Sequence, residues 1–401
     1  MYGGDRLPHK TCSCDLLQII TPCTAVGHHR VFFHCHNHWI SQNIRDMLKQ
    51  LRIFTILLFI ATVSFFTRNT IKQKGMFIID SLIHKGLTFY SSLTENATSY
   101  NISQTFSYDY VFIRDVLQQG NGILFVETTD RMVEPSLVLC SIESAARVYP
   151  DRPVVFFMKG LGDIVSEDDE KKAQNHYPTL SIYKNIYIFP LRLEKLFAET
   201  PFLAWYEKID ATREVYWTHV KSDACRFAMM WKYGGIYMDT DVISIRPIPE
   251  DHFLAAETFL TTSSSVFGLS PHHKLSWEFM ENFVQNYRGE IWGHQGPGVF
   301  TRVVKNHCGL PQFTSVDHVK CANVSYFHPE RFYPILYPSW RKYFEVWKQL
   351  PTFNNSYALH LWNFMNKERK SMVVGSNTLV EHLYKQYCPS TYEGVLNKTV
   401  S

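Results

Sequence analysis

Two aspartates separated by one residue, Asp239 and Asp241, are the side chains in this sequence best suited to chemistry. They follow Gly234 and Gly235 inside the run IYMDTDVISI, whose apolar residues predict a β-strand. Side chains alternate along a strand, so both carboxylates are expected on one face together with Tyr237. Carboxylates about 7 Å apart at a strand edge can hold Mn²⁺ or Mg²⁺ together with a diphosphate. The same triplet is also common in loops and caps, so the spacing alone does not establish a metal site.

The residues before the acidic pair predict the helix that positions it. Residues 213–232 have helical periodicity, and Asp223 and Arg226 are neighbours one turn apart. An apolar stripe that would face a sheet consists of Ala224, Phe227, Ala228 and Trp231. Two interpretations follow: an ordinary surface ion pair on a packed helix, or one pocket formed by Asp223, Arg226, Tyr237 and the two aspartates.

The pattern from residue 122 onwards predicts an α/β fold. Apolar runs at 123–128, 154–160 and 186–191 are expected as strands, and Pro135 is expected to begin a helix between the first two. Strands separated by helices indicate a mostly parallel sheet with ligands at the carboxyl ends of its strands. Neither G-x-G-x-x-G nor a P-loop pattern occurs, which argues against a standard dinucleotide-binding or P-loop fold.

Composition excludes several classes of protein. The 401 residues are 45% hydrophobic and 19% charged, which rules out a disordered or fibrous chain. Forty Lys and Arg against 37 Asp and Glu give a net charge of only +3. Nucleic-acid-binding domains carry clustered basic excess, so no nucleic-acid partner is expected.

An apolar, uncharged segment at residues 53–66 predicts attachment to a membrane. It is short against the roughly 20 residues of a typical span, and the core of a cleaved signal peptide is the alternative. We expect a signal anchor at 51–67, a cytosolic segment at 1–50 and a stem at 68–119. Glycosylation sequons occur only after the anchor, which predicts a luminal body and a glycoprotein. They begin at Asn96, Asn101, Asn323, Asn354 and Asn397.

The first 46 residues differ from the rest of the chain in the pattern of their cysteines. Four cysteines interleave with histidines there, but their spacing fits no regular zinc site. Met47 begins a short basic tail followed by the apolar segment, so residues 1–46 are interpreted as an alternative or mis-assigned N-terminus. The luminal part contains five cysteines, an odd number that leaves at least one without an intrachain partner. Cys308 and Cys321 are the pair expected to form a disulfide.

Several stretches together resemble one enzyme family. They are ILFVETTDR, SIESAARVYP, FFMKGL, SDACR with DTD, IWGHQGP, FYPI, WRKYFE, YALHLWN and YCPS. They span about residues 123–390 and resemble the α1,4-galactosyl- and α1,4-N-acetylglucosaminyltransferase family. The resemblance implies a GT-A fold at 120–395, with a nucleotide-sugar half at 120–260 and an acceptor half at 261–395. It also implies a type II membrane protein of the Golgi, a UDP-sugar donor, a Mn²⁺ or Mg²⁺ cofactor and retention of anomeric configuration.

The resemblance also implies roles for individual residues. Asp241 would bind the metal, while Asp239 would contact the ribose or donor sugar and share the metal. Asp223 and Arg226 would contact the donor hexose, and Tyr237 would line the same site.

Two further residues complete the expected site. His360 is expected as the third metal ligand, with a structural histidine between aromatic residues as the alternative. Gln295 is expected beneath the anomeric carbon, with Gly293, Gly296 and Gly298 letting backbone approach the sugar. A glycine-rich turn around a buried glutamine is the alternative for that segment.

The expected reaction moves galactose from UDP-galactose to a terminal galactoside of a glycolipid such as lactosylceramide, a step of glycosphingolipid biosynthesis. Transfer of N-acetylglucosamine or N-acetylgalactosamine to a glycolipid or O-glycan is the alternative, because no motif reports the donor. A non-catalytic lectin or partner of the same fold is a second class. A hydrolase is disfavoured, because two neighbouring aspartates on one strand do not supply opposed carboxylates. Retention through a covalent intermediate and retention by same-face attack both stay open.

Overall fold

The computed structural model of the protein describes residues 108–400, apart from positions 311 and 322. The predicted cytosolic segment, the anchor at 51–67, the cysteine/histidine-rich leader and nearly all of the stem lie outside the described residues. Within the described part, none of the helices is both long enough and apolar enough to cross a bilayer.

The first half of the described chain alternates strands and helices, as the sequence predicts. Its strands β1 to β3 are short, apolar and almost fully buried, which is typical of parallel strands covered on both faces. Pro135 stands immediately before α2, where the fixed φ of proline suits a helix start. In chain order the elements are α1 (Tyr108–Leu117), β1 (Ile123–Glu127), α2 (Ser136–Val148), β2 (Val154–Met158), α3 (Glu167–Gln174), β3 (Ile186–Pro190), α4 (Leu193–Phe197), α5 (Pro201–Tyr206), α6 (Trp217–Tyr233) and β4 (Gly235–Met238).

The second half has shorter strands and several single-turn segments. Its elements are β5 (Val242–Ser244), β6 (Phe253–Thr258), β7 (Thr261–Leu269), α7 (Lys274–Gln285), α8 (Pro297–Cys308), β8 (Val319–Cys321), β9 (Val324–Phe327), β10 (Ala358–His360), α9 (Leu379–Tyr387) and α10 (Pro389–Leu396). Three 3₁₀ segments occupy Pro329–Arg331, Tyr337–Phe344 and Asn363–Met365.

Within the described residues, eight strands form one central sheet in the order β3-β2-β1-β4-β7-β6-β9-β8. Strands β3, β2, β1 and β4 are parallel, and so is the β6–β9 pair. The β4–β7, β7–β6 and β9–β8 pairs are antiparallel. The sheet is therefore mixed: its first half has the predicted parallel order, and the β6–β7 hairpin introduces antiparallel pairing. The two predicted halves meet inside that hairpin and share the sheet.

The strand predicted to carry Asp239 and Asp241 is interrupted at those residues. β4 ends at Met238, and β5 begins at Val242 and pairs with β10 in a separate two-stranded sheet. A turn connects the strands, since the amide of Val242 donates to the carbonyl of Asp239 at 3.2 Å. The prediction of one continuous strand is therefore wrong, because the chain leaves the central sheet here to reach β10.

Glycine at position 235 is required where α6 gives way to β4. Gly235 has φ of 92°, and a Cβ there would lie 2.1 Å from the carbonyl oxygen of Gly122 in the neighbouring segment. Any other residue would push β4 away from β1, so this glycine fixes the level at which β4 enters the sheet.

The C-terminal helices are fastened to α2. A disulfide joins Cys140 to Cys388, and the fully buried Glu143 accepts hydrogen bonds from the amides of Ser390 and Thr391 at 2.9 and 2.7 Å. A carboxylate at the start of α10 is favoured by the free amides of its first turn. Covalent and charge-assisted contacts thus tie the two ends of the described chain together.

The predicted cysteine pairing is confirmed. Cys308 and Cys321 form a disulfide, and Cys225, buried in α6, is the cysteine among the described residues that remains a thiol. One buried thiol therefore accounts for the odd number of cysteines in this part of the chain.

We expect the long-range disulfide to contribute more to stability than the local one. It separates its cysteines by 248 residues, against 13 for Cys308–Cys321, and a longer closed loop removes more entropy from the unfolded chain. Replacing Cys140 and Cys388 by Ser should lower the free energy of unfolding by about 2–5 kcal/mol. Denaturant unfolding of residues 108–401 measures this, with the Cys308→Ser/Cys321→Ser variant as the matched comparison. A larger loss in the comparison variant would contradict the expectation.

Candidate active site

A cavity of about 630 Å³ opens where β4 ends. Its walls come from α6, the β4–β5 turn, the β6–β7 hairpin, the segment before α8 and the segment after β10. The ionisable side chains that line it include His219, Asp223, Arg226, Asp239, Asp241, Glu257 and His360. Five of these seven are candidate site residues from the sequence, and His219 and Glu257 are additional.

Asp239, Asp241 and His360 form a compact group of potential metal ligands. One ligand atom from each lies within 4.8 Å of the other two. The pairing of β5 with β10 sets His360 opposite Val242, so the imidazole Nε2 lies 3.4 Å from Asp241 Oδ1. Two carboxylates and an imidazole suit Mn²⁺, and carboxylates also suit Mg²⁺.

A buried arginine holds the first aspartate. Arg226 Nη1 lies 3.0 Å from Asp239 Oδ1, its Nε lies 3.3 Å from Asp223 Oδ1, and its guanidinium stacks 4.8 Å from the Tyr237 ring. The hydroxyl of Tyr237 donates to Asp239 Oδ1 at 2.8 Å. Asp223 and Arg226 are both buried and so do not form a surface ion pair. They line one cavity with Asp239 and Asp241, whereas Tyr237 is buried and contacts this group without lining the cavity.

The electrostatics of the site favour an added cation. Three aspartates face one arginine, which leaves an excess of negative charge in a poorly hydrated space. Burial raises the pKa of Asp223 to about 7, although Arg226 acts in the opposite direction. Burial likewise raises the pKa of Asp239, against the effect of Arg226. A divalent cation would offset that unfavourable charge and keep the carboxylates ionised.

Hydroxyl groups form the cavity floor beside the aspartates. Ser265 Oγ lies 2.6 Å from the hydroxyl of Tyr333, and Ser263 contacts both groups. The carbonyl of Ser264 accepts from Arg226 Nη1 at 2.8 Å, and the amide of Asp239 donates to the carbonyl of Ser265 at the same distance. The first half of β7 therefore fixes the acidic group while presenting polar atoms to the cavity.

Glu257 is an acidic cavity residue that the sequence patterns did not reveal. It stands near the end of β6, where the continuous apolar run from Phe253 to Ala256 precedes it and is buried. A single acid directly after a buried apolar run, at the carboxyl end of a strand, is a signal that could have found it.

Two aromatic rings from separate segments close one side of the cavity. Trp292 and Phe364 stack with centroids 3.6 Å apart and planes 9° apart, and His219 packs edge-on against both. Burial lowers the pKa of His219 to about 4, so this imidazole is neutral at physiological pH. The amide of Asn363, next to Phe364, donates to Asp241 Oδ2 at 2.8 Å. The ring pair and the acidic group are therefore held by the same segment.

Gln295 does not reach the cavity. Its amide nitrogen donates to the carbonyl of Phe283 at 2.8 Å, and its oxygen accepts from the amide of Arg288 at 3.1 Å. Gln295 is almost fully buried. The predicted position of its side chain against the donor sugar is therefore corrected: the side chain instead holds the backbone of a turn. Gly296, one residue later, instead packs directly on Asp223.

The sequence of the described body matches known glycosyltransferases. Residues 268–395 match the alpha 1,4-glycosyltransferase conserved region, and residues 135–260 match the glycosyltransferase sugar-binding region containing the DXD motif. Identity to the alpha-1,4-N-acetylglucosaminyltransferase of Homo sapiens is 51% over 284 residues, covering 70% of this chain and 82% of that protein. This chain belongs to the α1,4-glycosyltransferase family. The resemblance inferred from the motifs is confirmed.

A second relative from the α1,4-glycosyltransferase family is less similar to this chain. The lactosylceramide 4-alpha-galactosyltransferase of Mus musculus is 35% identical over 335 residues, covering 82% of this chain and 90% of that protein. Among solved structures, the PaToxG glycosyltransferase aligns with a TM-score of 0.37 and 18% identity, over 49% of this chain and 75% of that one. The fold is a mixed α/β fold with a large central sheet, and residues 135–260 match a sugar-binding region that contains the DXD motif.

The contact between Gly296 and Asp223 gives a test of this site. A Cβ at position 296 would lie 2.4 Å from Asp223 Oδ1, and the buried aspartate can move only by losing its contact with Arg226. Gly296→Ala should therefore destabilise the α1,4-glycosyltransferase by about 1–3 kcal/mol. Thermal unfolding measures this loss. Gly162→Ala, where a Cβ meets nothing within 4 Å, is the control; parent-like values for Gly296→Ala would refute the packing argument.

Proposed function

We propose that this chain transfers a hexose from a UDP-hexose, in α1,4 linkage and with retention of configuration, to a terminal galactoside of a glycolipid or other glycan. The observation that carries the proposal is the group of Asp239, Asp241 and His360, held by Arg226 in a cavity large enough for a sugar nucleotide. Membership of the α1,4-glycosyltransferase family supplies the reaction class.

We propose N-acetylglucosamine as the first donor sugar to test, and galactose as the second. The 51% identity to a relative named for N-acetylglucosamine transfer, against 35% to one named for galactose transfer, favours this order over the galactose expected from the motifs. The two hexoses differ by an acetamido group in place of a hydroxyl at C2 and by the configuration at C4, so the shape and hydrogen-bonding groups of the cavity decide between them.

Each polar group has a role in this mechanism. Asp239, Asp241 and His360 would hold Mn²⁺ or Mg²⁺, which neutralises negative charge on the departing diphosphate. Arg226 keeps Asp239 ionised and oriented, and Tyr237 donates a hydrogen bond to the same oxygen. The stacked rings of Trp292 and Phe364 exclude water from one side of the cavity, which strengthens electrostatic interactions inside it.

We further propose that the enzyme works in the Golgi lumen, attached by a signal anchor at residues 51–67. The apolar segment and the five sequons that follow it support this placement. Two disulfides support it as well, because disulfides form and persist in oxidising compartments such as the secretory pathway.

Removing one metal ligand tests the proposed function. Asp241→Asn keeps the size of the side chain but removes its charge, so we expect weaker Mn²⁺ binding and a loss of about 100-fold or more in turnover. UDP release from UDP-N-acetylglucosamine and UDP-galactose, with linkage analysis of the product, measures the reaction. Calorimetry with Mn²⁺ and UDP measures binding.

Asp168→Asn, which removes one exposed carboxylate from α3, is the control. Addition of a chelator to the parent enzyme should abolish turnover, and Mn²⁺ should restore it. If Asp241→Asn turns over as fast as the parent protein, the assignment of this site is wrong.

A further inference from the structure

Glu257 is a cavity carboxylate without an evident structural task. Across the described residues its side chain makes no hydrogen bond or ion pair, whereas Asp223, Asp239 and Asp241 all have partners. It lines the cavity and is only partly exposed. Placing an unpaired charge in a poorly hydrated site destabilises the folded state, so a role in the reaction is the explanation to test.

The sheet places Glu257 across the cavity from the acidic group. Asp239 follows β4 and Glu257 is on β6, with β7 between them, so the two strands lie about two strand spacings apart, roughly 10 Å across the sheet. The two residues are also offset along β7, because Asp239 lies opposite Ser265 and Glu257 lies near Thr261 and Thr262.

The hydroxyl floor formed by Ser263 and Ser265 lies between Asp239 and Glu257, and the buried hydroxyl of Tyr333 contacts both serines. Burial raises the pKa of Tyr333, and the charges of Glu257 and Asp239 act in the same direction. This is consistent with a position of Tyr333 between the two carboxylates.

The two ends of the cavity therefore carry different chemical groups. Arg226 and the potential metal ligands lie at one end, where a diphosphate would be bound. The hydroxyl floor can form hydrogen bonds with a sugar ring beside it, and Glu257 faces the same space from the far side. A hexose attached to the diphosphate would therefore extend towards Glu257.

We propose that Glu257 is a catalytic carboxylate that contacts the transferred hexose and stabilises the positive charge that develops at its anomeric carbon. This inference rests on the proposed function. When the bond between the sugar and the diphosphate breaks, electrons leave with the diphosphate and the sugar becomes oxocarbenium-like. A fixed negative charge in a site of low polarity stabilises that state more than it stabilises the neutral ground state.

Removing the charge of Glu257 is expected to affect the turnover of the enzyme and the stability of its fold differently. Burial raises the pKa of Glu257, against the effect of His360, which means that its negative charge is unfavourable in the folded protein. A variant without the charge should therefore be at least as stable as the parent. A purely structural glutamate would give the opposite result.

Donor hydrolysis is the measurement that needs no knowledge of the acceptor. UDP release from UDP-N-acetylglucosamine and UDP-galactose into water is recorded with Mn²⁺ for the full-length protein and its Glu257→Gln variant. We expect kcat to fall about 100-fold or more. The Kd for UDP and the melting temperature should stay near the parent values, because Glu257 contacts neither the diphosphate nor a structural partner.

Glu250→Gln, which removes one carboxylate outside the cavity, is the control and should behave like the parent. Unchanged donor hydrolysis in Glu257→Gln would overturn the proposal, even if transfer to an added acceptor were lost. A variant that no longer binds UDP or melts earlier would overturn it too, since Glu257 would then have a structural role. Failure of the parent to bind UDP and Mn²⁺ would instead overturn the proposed function.

Discussion

The pairing of β5 with β10 is the contact on which the site depends. Strand β4 ends at Met238, and the chain must turn there to reach a strand that arrives more than a hundred residues later in sequence. That turn carries both aspartates, and the antiparallel register brings His360 to Asp241. A ligand group assembled from two distant segments can form only when the whole body has folded.

The same region concentrates buried charge, which makes the site unfavourable for stability in isolation. Arg226 offsets part of the negative charge through Asp223 and Asp239, and the backbone of β7 accepts one of its remaining donors. Interactions of this kind stabilise a fold only when every group is satisfied. Here the excess of carboxylates persists, which is the condition expected of a site that binds a cation and a charged substrate.

Sequence patterns predicted the parts of this structure that are local. The strands at 123–128, 154–160 and 186–191, the helix after Pro135 and the acidic group with its arginine all follow from periodicity, motif spacing and resemblance. The interruption of the strand at Asp239 could not be predicted in this way, because its apolar residues continue into β5 and only the partner strand changes. The position of Gln295 was predicted incorrectly and Glu257 was missed for a similar reason, because the surroundings of both residues depend on other segments of the chain.

The segment after β10 links the chemistry of the cavity to its closure. The imidazole of His360 lies beside one carboxylate oxygen of Asp241, and the amide of Asn363 donates a hydrogen bond to the other. The surroundings of both oxygens therefore depend on the position of this segment. Phe364 follows at once and stacks on Trp292 from the segment before α8. A change in the coordination of Asp241 would therefore be transmitted to the ring pair through Phe364, which is four residues after His360. Cation binding and exclusion of water from the cavity are consequently properties of one short stretch of chain, fixed at its start by β10 and at its end by aromatic stacking.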